Sequence, residues 1–365
     1  MIEEFYKFIT STSKSAVTML NSASTWILMS FVIAGILHEY LSPDKMRKRS
    51  IGTAKISGVF WTTVTGMFIP ICSCGTIPLG ISMYYSGAYL GPTLAFMTST
   101  PMINPISVIL AWGLLGKEIT IIYVITGFVA PMIIGIVANR FGGDELHVKG
   151  LEEEIKRRTL VYDEPSCIEK LKTGLKWSFT ELAVTVSKYT VSGLLIAGLV
   201  FNIFPQSAIQ TYLGSPGFVS LFGITVVAAL MYVCAVGHIP FIAALVASGA
   251  APGVAITFLM AGAATNISEL LTISKTIGKR AMFMYFAMVT VISNIMGYIT
   301  NSLLMPGFKP VLNYDATSHT IAKANILILV APEWLKYTCT IILFGYALYG
   351  LYQKIIGKKT ILIGR

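Results

Sequence analysis

The sequence has few charged residues, and it lacks them altogether over long stretches. Only 12% of its 365 residues are Asp, Glu, Lys or Arg, whereas a soluble domain has about a quarter. Residues 56–116 contain none, and residues 189–268 contain no ionisable group except Cys, Tyr and His238. About 20 apolar residues cross a bilayer as a helix. These stretches therefore exclude a soluble domain and predict an all-α polytopic membrane protein.

The sequence also lacks a nucleotide-binding motif and a disulfide pattern, and each absence limits the functions it can have. The chain has no G-x-x-x-x-G-K-[ST] motif, so transport driven by ATP would need a separate subunit. Its five cysteines are unevenly spaced and imply no disulfide framework. The net charge of +10 comes from short basic loops, which indicate membrane topology rather than a nucleic-acid partner. No cofactor is expected.

An internal repeat appears when the chain is shifted against itself so that Cys72 lies over Cys234. The segment "CSCGTIPLGISMYYSGAYLGPTLAF" then matches "CAVGHIPFIAALVASGAAPGVAITF" without a gap. Asn104 meets Asn266 and Tyr123 meets Tyr285 at the same shift, which we call the repeat offset. The sequence therefore predicts two copies of one unit followed by a final helix.

Loop charges predict that the two copies are inverted. Lys and Arg cluster in 42–55, 140–178, 275–280 and 354–359, whereas 202–216 has none. Basic loops are cytoplasmic, so the first helix and its counterpart run in opposite directions, as in many secondary transporters of the cell membrane. The predicted parts are a first repeat over 1–139, a cytoplasmic linker over 140–178, a second repeat over 179–304, and an external loop, last helix and cytoplasmic basic tail over 305–365.

Each copy contains two predicted helix breaks near the membrane midplane. The first is "PICSCGTIP" and its copy "YVCAVGHIP"; the second is "STPMINP" and its copy "AGAATNI". Gly permits an unwound entry and Pro favours a first helical turn, so half-helices are expected to begin near residues 76 and 238. The residues expected to form the breaks are Pro70, Gly75, Pro78, Gly237, Pro240, Pro101 and Pro105.

The cysteine pair of the first break is the main candidate site. Residues i and i+2 face the same way only in extended chain, so Cys72 and Cys74 can bind one ion together only where the helix is broken. Thiolates prefer soft centres such as Cu(I), zinc or, by the same argument, trivalent arsenic. Cys234 joins them if the two breaks meet. Packing of small apolar side chains is the alternative, and it is the interpretation for Cys167 and Cys339.

The segment "PICSCGTIPLG…SGAYLGPTLAFMTSTPMINP" resembles the signature of the predicted permease family that includes ArsP and YraQ. The resemblance rests on residues 70–105: Pro70, Cys72, Cys74, Gly75, Pro78, Gly87, Gly91, Ala95, Phe96, Asn104 and Pro105. It implies a permease that exports trivalent organoarsenicals or soft metal ions. The second copy keeps one cysteine and lacks the proline after its asparagine, which implies that a symmetric site is degenerate there.

Polar residues inside apolar segments are further candidates, because such groups are costly to bury in a membrane. Asn104 and Asn266 are related by the repeat and are expected to bond freed backbone or cargo. His238 is either a ligand or proton acceptor, or a helix cap. Glu269, the only carboxylate between Glu181 and Asp315, is expected to carry a coupling proton, or else to reach towards the interface.

The sequence favours a proton-driven efflux permease for a thiophilic solute, which is not an enzyme. Its expected partners are then a small molecule or ion and the lipid bilayer. Formation of a homo-oligomer is left open. The alternatives are a membrane thiol–disulfide oxidoreductase using Cys72 and Cys74, or a passive channel for a small solute. Redox pairs usually have the spacing C-x-x-C, which speaks against the oxidoreductase.

Overall fold

The computed structural model describes residues 2–40, 52–69, 71, 73–148, 167–203, 215–231, 233–305, 307–308 and 332–355. Over these residues the protein has fourteen α-helices, one 3-10 turn, one π-helical turn and no strand. The predicted all-α fold of a polytopic membrane protein is confirmed. The first six helices are α1 (Ile2–Tyr40), α2 (Ile56–Phe68), α3 (Ser73–Tyr85), α4 (Leu90–Met102), α5 (Pro105–Leu114) and α6 (Lys117–Phe141).

The remaining helices follow the linker. They are α7 (Cys167–Trp177), α8 (Ala183–Ile203), α9 (Phe218–Leu230), α10 (Ala235–Ala247), α11 (Pro252–Ala264), α12 (Ile267–Thr276), α13 (Lys279–Leu304) and α14 (Glu333–Ile355). A π-helical turn over Ser178–Leu182 joins α7 to α8, so one helical run crosses the predicted boundary between linker and second repeat.

The predicted repeat is visible in the helix boundaries. Shifted by the repeat offset, the first and last residues of α2, α3, α4 and α5 coincide with those of α9, α10, α11 and α12, and the first residue of α6 coincides with that of α13. Equivalent side chains also make equivalent contacts. Asn139 Oδ1 accepts from the backbone N–H of Gly91 at 2.8 Å, and Asn301 Oδ1 accepts from that of Gly253 at 2.6 Å. The two copies therefore share one fold.

Several described helices are long and apolar enough to cross a membrane. By length and composition, α6 and α13 each do so alone. The pair α4 and α5 forms a further span bent by 40°, and the equivalent pair α11 and α12 one bent by 41°. Helices α2, α9 and α10 are apolar but shorter.

The equivalent helices α6 and α13 run in opposite directions. Glu145, just beyond the end of α6, accepts hydrogen bonds from the backbone N–H groups of Arg280 at 3.2 Å and Ala281 at 2.5 Å, at the start of α13. The carboxyl end of α6 and the amino end of α13 thus lie at one face of the protein. Two membrane-crossing helices arranged in this way run in opposite directions, as the inverted repeat requires.

The face that contains this contact is basic, and we call it the basic face (residues 52–55, 140–147 and 275–281). Tyr85 of α3 donates from its hydroxyl to the carbonyl of Thr276 at 2.8 Å, and the backbone N–H of Tyr89 donates to Gly52 at 3.1 Å. Its exposed basic side chains are Lys55, Arg140, Lys275, Lys279 and Arg280. Three separate segments that the sequence predicts to be cytoplasmic therefore meet at one end of the protein.

Candidate functional site

The helices of the first break begin earlier than the sequence predicts. Helix α3 starts at Ser73 and α10 at Ala235, rather than near 76 and 238. Pro78 and Pro240 consequently lie in the second turn of these helices. A proline there has no N–H to donate to the carbonyl four residues earlier, which belongs to Cys74 or Val236. One hydrogen bond is lost near each helix start, and the helix continues.

The glycines of the first break are not an unwound entry. Gly75 and Gly237 are both inside the first turn of their helices. The glycines that adopt the left-handed region are instead Gly87 (φ 94°) and Gly249 (φ 102°), which form the equivalent turns after α3 and α10. The predicted role for Gly75 and Gly237 is therefore wrong, because the chain is helical where it was expected to be open.

Two cysteines of the first break, Cys74 and Cys234, lie at helix starts. Cys234 is the N-cap residue of α10, has extended backbone, and is half-buried. Cys74 is in the first turn of α3, while Cys72 and Pro70 are outside the described residues. Among the described side chains, no group of three His, Cys, Asp or Glu is arranged to hold a metal ion. The binding of cargo by Cys72 and Cys74 stays a prediction.

The second break is present in both copies, with its asparagine as the helix cap. Asn104 is the N-cap of α5 and Asn266 is the N-cap of α12, and both are buried. Pro101 lies in the last turn of α4, and Pro105 is the first residue of α5. Proline is favoured at that position since the missing N–H has no partner within the helix.

In the first copy the cap is a neutral network. Asn104 Oδ1 accepts from the Ser107 N–H at 2.9 Å, and Ser107 Oγ accepts from the Asn104 N–H at 3.0 Å, a reciprocal capping box. The hydroxyl of Tyr123, on α6, donates to the carbonyl of Met102 and lies 3.4 Å from Ser107 Oγ. Hydroxyl and amide groups therefore satisfy the open helix ends.

In the second copy the same positions hold a carboxyl group. Asn266 Oδ1 accepts from the Glu269 N–H at 2.9 Å, and Asn266 Nδ2 lies 3.4 Å from Glu269 Oε2. The hydroxyl of Tyr285, on α13, donates to Glu269 Oε1 at 3.1 Å. Glu269 is fully buried, and among the described residues it forms no ion pair. A buried carboxylate without a cation is costly, so a proton or a cation on this group is favoured.

The equivalence of these networks extends beyond the residues singled out in the sequence. The repeat offset places Ser107 over Glu269 and Tyr123 over Tyr285, so the serine of one cap corresponds to the glutamate of the other. Sequence reasoning identified Glu269 but missed Tyr285, which bonds it, and the equivalent pair of Ser107 and Tyr123 in the first copy. The repeat register contained that signal.

Each break of one half meets the other break of the opposite half. Helix α3 packs against α12, and α10 packs against α5. Asn266 Nδ2 donates to Ser73 Oγ at 3.0 Å, and Ser73 is the residue between Cys72 and Cys74. In the equivalent place Ala235, the first residue of α10, lies over Ser73 in the repeat register, and α10 packs against α5. The arrangement thus makes two composite sites, each built from both repeats.

His238 contacts the backbone of Cys234, the N-cap residue of its own helix. Its Nδ1 lies 3.2 Å from the N–H and 3.1 Å from the carbonyl oxygen of Cys234. A neutral ring accepts from the N–H, and a ring protonated at Nδ1 donates to the carbonyl. The ring also packs at 6.1 Å from that of Phe258. The capping role is therefore present, and Nε2 is the nitrogen left for any cargo.

Comparison with known proteins gives one family. A family described as "Predicted permease" matches residues 10–302. A UPF0718 protein of Methanocaldococcus jannaschii is 26% identical, over 76% of this chain and 91% of its own length. The UPF0718 protein YcgR of Bacillus subtilis is 25% identical over 80% and 95%, and YraQ of Escherichia coli 22% identical over 73% and 74%. No solved structure matches the chain.

Proposed function

The chain belongs to the predicted permease family that matches residues 10–302, and from that premise we propose that it exports a thiophilic solute by secondary active transport. The cargo is a trivalent organoarsenical or a soft metal ion, held by Cys72 and Cys74 at the start of α3. Asn104, Asn266, Cys234 and His238 surround the cargo pathway.

One contact supports this proposal above the others, the hydrogen bond from Asn266 Nδ2 to Ser73 Oγ at 3.0 Å. It joins the cysteine-bearing start of α3 to the cap that holds Glu269. Inverted-repeat transporters bind their substrates where broken helices of the two halves meet. The one contact therefore connects a site for soft cargo with a group able to carry a coupling proton.

Glu269 is the group that we assign to the proton. It is buried at the helix break with hydrogen-bond donors but without an ion pair in the described structure. Intramembrane carboxyl groups of this kind mark proton relays in transporters. Proton entry from outside through Glu269 would then drive cargo out of the cell.

The membrane orientation follows from the charge of the basic face. We assign that face, the linker over 140–178 and the C-terminus to the cytoplasm of a cell-membrane protein, because Lys and Arg are retained on that side.

Assembly with a second subunit is a further part of the proposal. A relative from Streptococcus mutans, 23% identical over 70% of this chain and 83% of its own length, is provisionally named a two-component membrane permease complex subunit. A partner subunit is compatible with the exposed apolar side chains of α14, among them Trp334, Ile341 and Tyr352. A homo-oligomer is the alternative arrangement.

Cargo binding is tested with a monosubstituted trivalent arsenical and purified protein. Cys72→Ser and Cys74→Ser should each lower its affinity at least about tenfold, because a hydroxyl is a poor donor to a soft centre. Cys339→Ser, in the buried part of α14, is the matched control and should bind as the wild type does. A resistance panel of organoarsenicals, antimonite, copper and zinc in a sensitive host then identifies the cargo. Normal binding by both variants would contradict the proposal.

A further inference from the structure

The two composite sites differ at two of their four positions, because Ser107 and Ala235 in one site stand where the other has Glu269 and Ser73. Asn, Tyr and the helix geometry are the same in both copies, but the first has Ser107 where the second has Glu269. We propose that Glu269, Tyr285, Asn266 and Ser73 form a single proton-binding site built from both repeats, and that the equivalent set around Ser107 binds no proton. This rests on the proposed proton coupling and adds the residues that transmit it.

The hydrogen bonds make the site sensitive to a proton. Both hydrogens of the Asn266 amide are used, one towards Ser73 Oγ at 3.0 Å and one towards Glu269 Oε2 at 3.4 Å. An ionised carboxyl only accepts, whereas a protonated one also donates. A proton on Oε2 therefore makes this oxygen a donor and weakens it as an acceptor for the Asn266 amide. The amide turns, and its bond to Ser73 at the start of α3 changes with it.

The hydrogen bonds of Tyr285 also change when Glu269 binds a proton. Its hydroxyl donates to Glu269 Oε1 at 3.1 Å and also interacts with the hydroxyl of Thr98 on α4. When Oε1 has the proton, the Tyr285 oxygen becomes the acceptor and its own hydrogen turns to Thr98, an oxygen that can accept it. Since α4 belongs to the first repeat and α13 to the second, this side of the site also spans both halves.

The surroundings leave the carboxyl group without another charged neighbour among the described residues. Three helices pack against α12. Helix α13 presents Tyr285, and α3 presents Ser73 at the break and Tyr85 only at the far end, where it bonds Thr276. Helix α8 presents Gly193 to Ser268, and the Nζ atom of Lys188 on α8 lies 4.7 Å from the centroid of the Tyr189 ring. The state of the carboxyl group thus depends on Tyr285 and Asn266.

A count of protons follows from this asymmetry. Serine does not titrate, so the paired sites hold one titratable carboxyl group between them. The proposal predicts one proton bound at this pair of sites for each transport cycle. Asn266 and Tyr285 are positioning residues in this scheme, because they act through Glu269.

The repeat supplies matched controls for the test. The carbonyl absorbance of a protonated carboxyl group is measured by infrared spectroscopy of the purified full chain as a function of pH. A titration that disappears in Glu269→Gln identifies the site. Tyr285→Phe and Asn266→Ala should each shift its midpoint by about one pH unit, because one hydrogen bond to a charged group is lost. Tyr123→Phe and Asn104→Ala, the equivalent changes, should leave the midpoint unchanged.

The outcomes separate this inference from the proposed function. The inference is overturned if Tyr285→Phe leaves the midpoint unchanged, or if Tyr123→Phe shifts it equally. Should Asn266→Ala not fold, Tyr285→Phe decides alone, since it removes only a hydroxyl. The wild-type protein could show the titration and yet transport no cargo when a pH gradient is imposed. That result would contradict the proposed function but not the proton-binding site.

Discussion

At the scale of single residues, the exchange of Ser107 for Glu269 distinguishes two otherwise equivalent caps. Both positions are the third residue of a helix that begins after a buried asparagine. Serine satisfies the cap with its own hydroxyl, but glutamate places a carboxyl group where water is excluded. Burial of such a group requires compensation, which the hydrogen bonds from Tyr285 and Asn266 provide in part.

The capping contact of His238 leads to a prediction about stability. His238→Ala removes the acceptor of the Cys234 N–H and should lower the free energy of unfolding by about 1 kcal/mol, as for the loss of other helix caps. His238→Gln can still reach the N–H and should retain most of the stability. Thermal unfolding of the purified protein in detergent measures both.

An unchanged unfolding temperature in His238→Ala would show that the capping contact contributes nothing. The same two variants also test the cargo role of the imidazole. Loss of cargo binding in a fully stable His238→Gln protein would assign Nε2 to the cargo.

At the scale of helices, close approach of backbones holds each repeat together. A methyl group on Gly91 would lie 2.3 Å from the carbonyl oxygen of Gly135, and one on Gly253 would lie 2.0 Å from that of Gly297. Small residues at helix contacts let backbones approach closely in membranes. Asn139 and Asn301 then bond the backbones that meet there.

The equivalence of these contacts predicts equal effects. Gly91→Ala and Gly253→Ala should each destabilise the protein by about 1–3 kcal/mol, because the added methyl group overlaps fixed backbone atoms. Gly345→Ala on α14, where nothing lies within 4 Å, is the control and should be neutral or slightly stabilising. Thermal unfolding in detergent measures all three, and stable glycine variants at either contact would refute the close approach.

The sequence predicted the positions of the helices and their breaks more accurately than it predicted the backbone conformation at each break. The repeat register placed Asn104 and Asn266 at the second break, and in the structure both are N-caps. The starts of α3 and α10 were expected too late in the chain, because proline was expected only in a first turn. The partner of Ser73, Asn266, lies in the other repeat, and no local pattern indicates such a contact.

At the scale of the whole molecule, inversion makes the two sites composite. The start of α3 meets the cap of α12, and the start of α10 meets α5. A motion of one repeat against the other, as in other inverted-repeat transporters, therefore changes both sites at once. On the basic face Glu145, just beyond α6, accepts hydrogen bonds from the start of α13 and so joins the segment after the first repeat to the second repeat.

The orientation of the protein is testable with single introduced cysteines. Asp144→Cys and Lys279→Cys, both exposed on the basic face, should react with a membrane-impermeant maleimide only from the cytoplasmic side. Ser215→Cys, exposed before α9, should react only from outside. Labelling of all three positions from one side would contradict the inverted topology, whichever side it is.

The central claim is that soft cargo and a proton share one composite site, and transport by purified protein in liposomes tests it most directly. A pH gradient is imposed, and accumulation of a monosubstituted trivalent arsenical is compared with its exchange across the membrane without a gradient. The account predicts that the wild-type protein accumulates the arsenical when a pH gradient is imposed and exchanges it when there is none. Cys72→Ser should neither accumulate nor exchange the arsenical, because the site has lost one of the two thiols that bind it. Glu269→Gln should exchange cargo but not accumulate it. Accumulation driven by the pH gradient in Glu269→Gln, or in both Cys72→Ser and Cys74→Ser, would contradict the account.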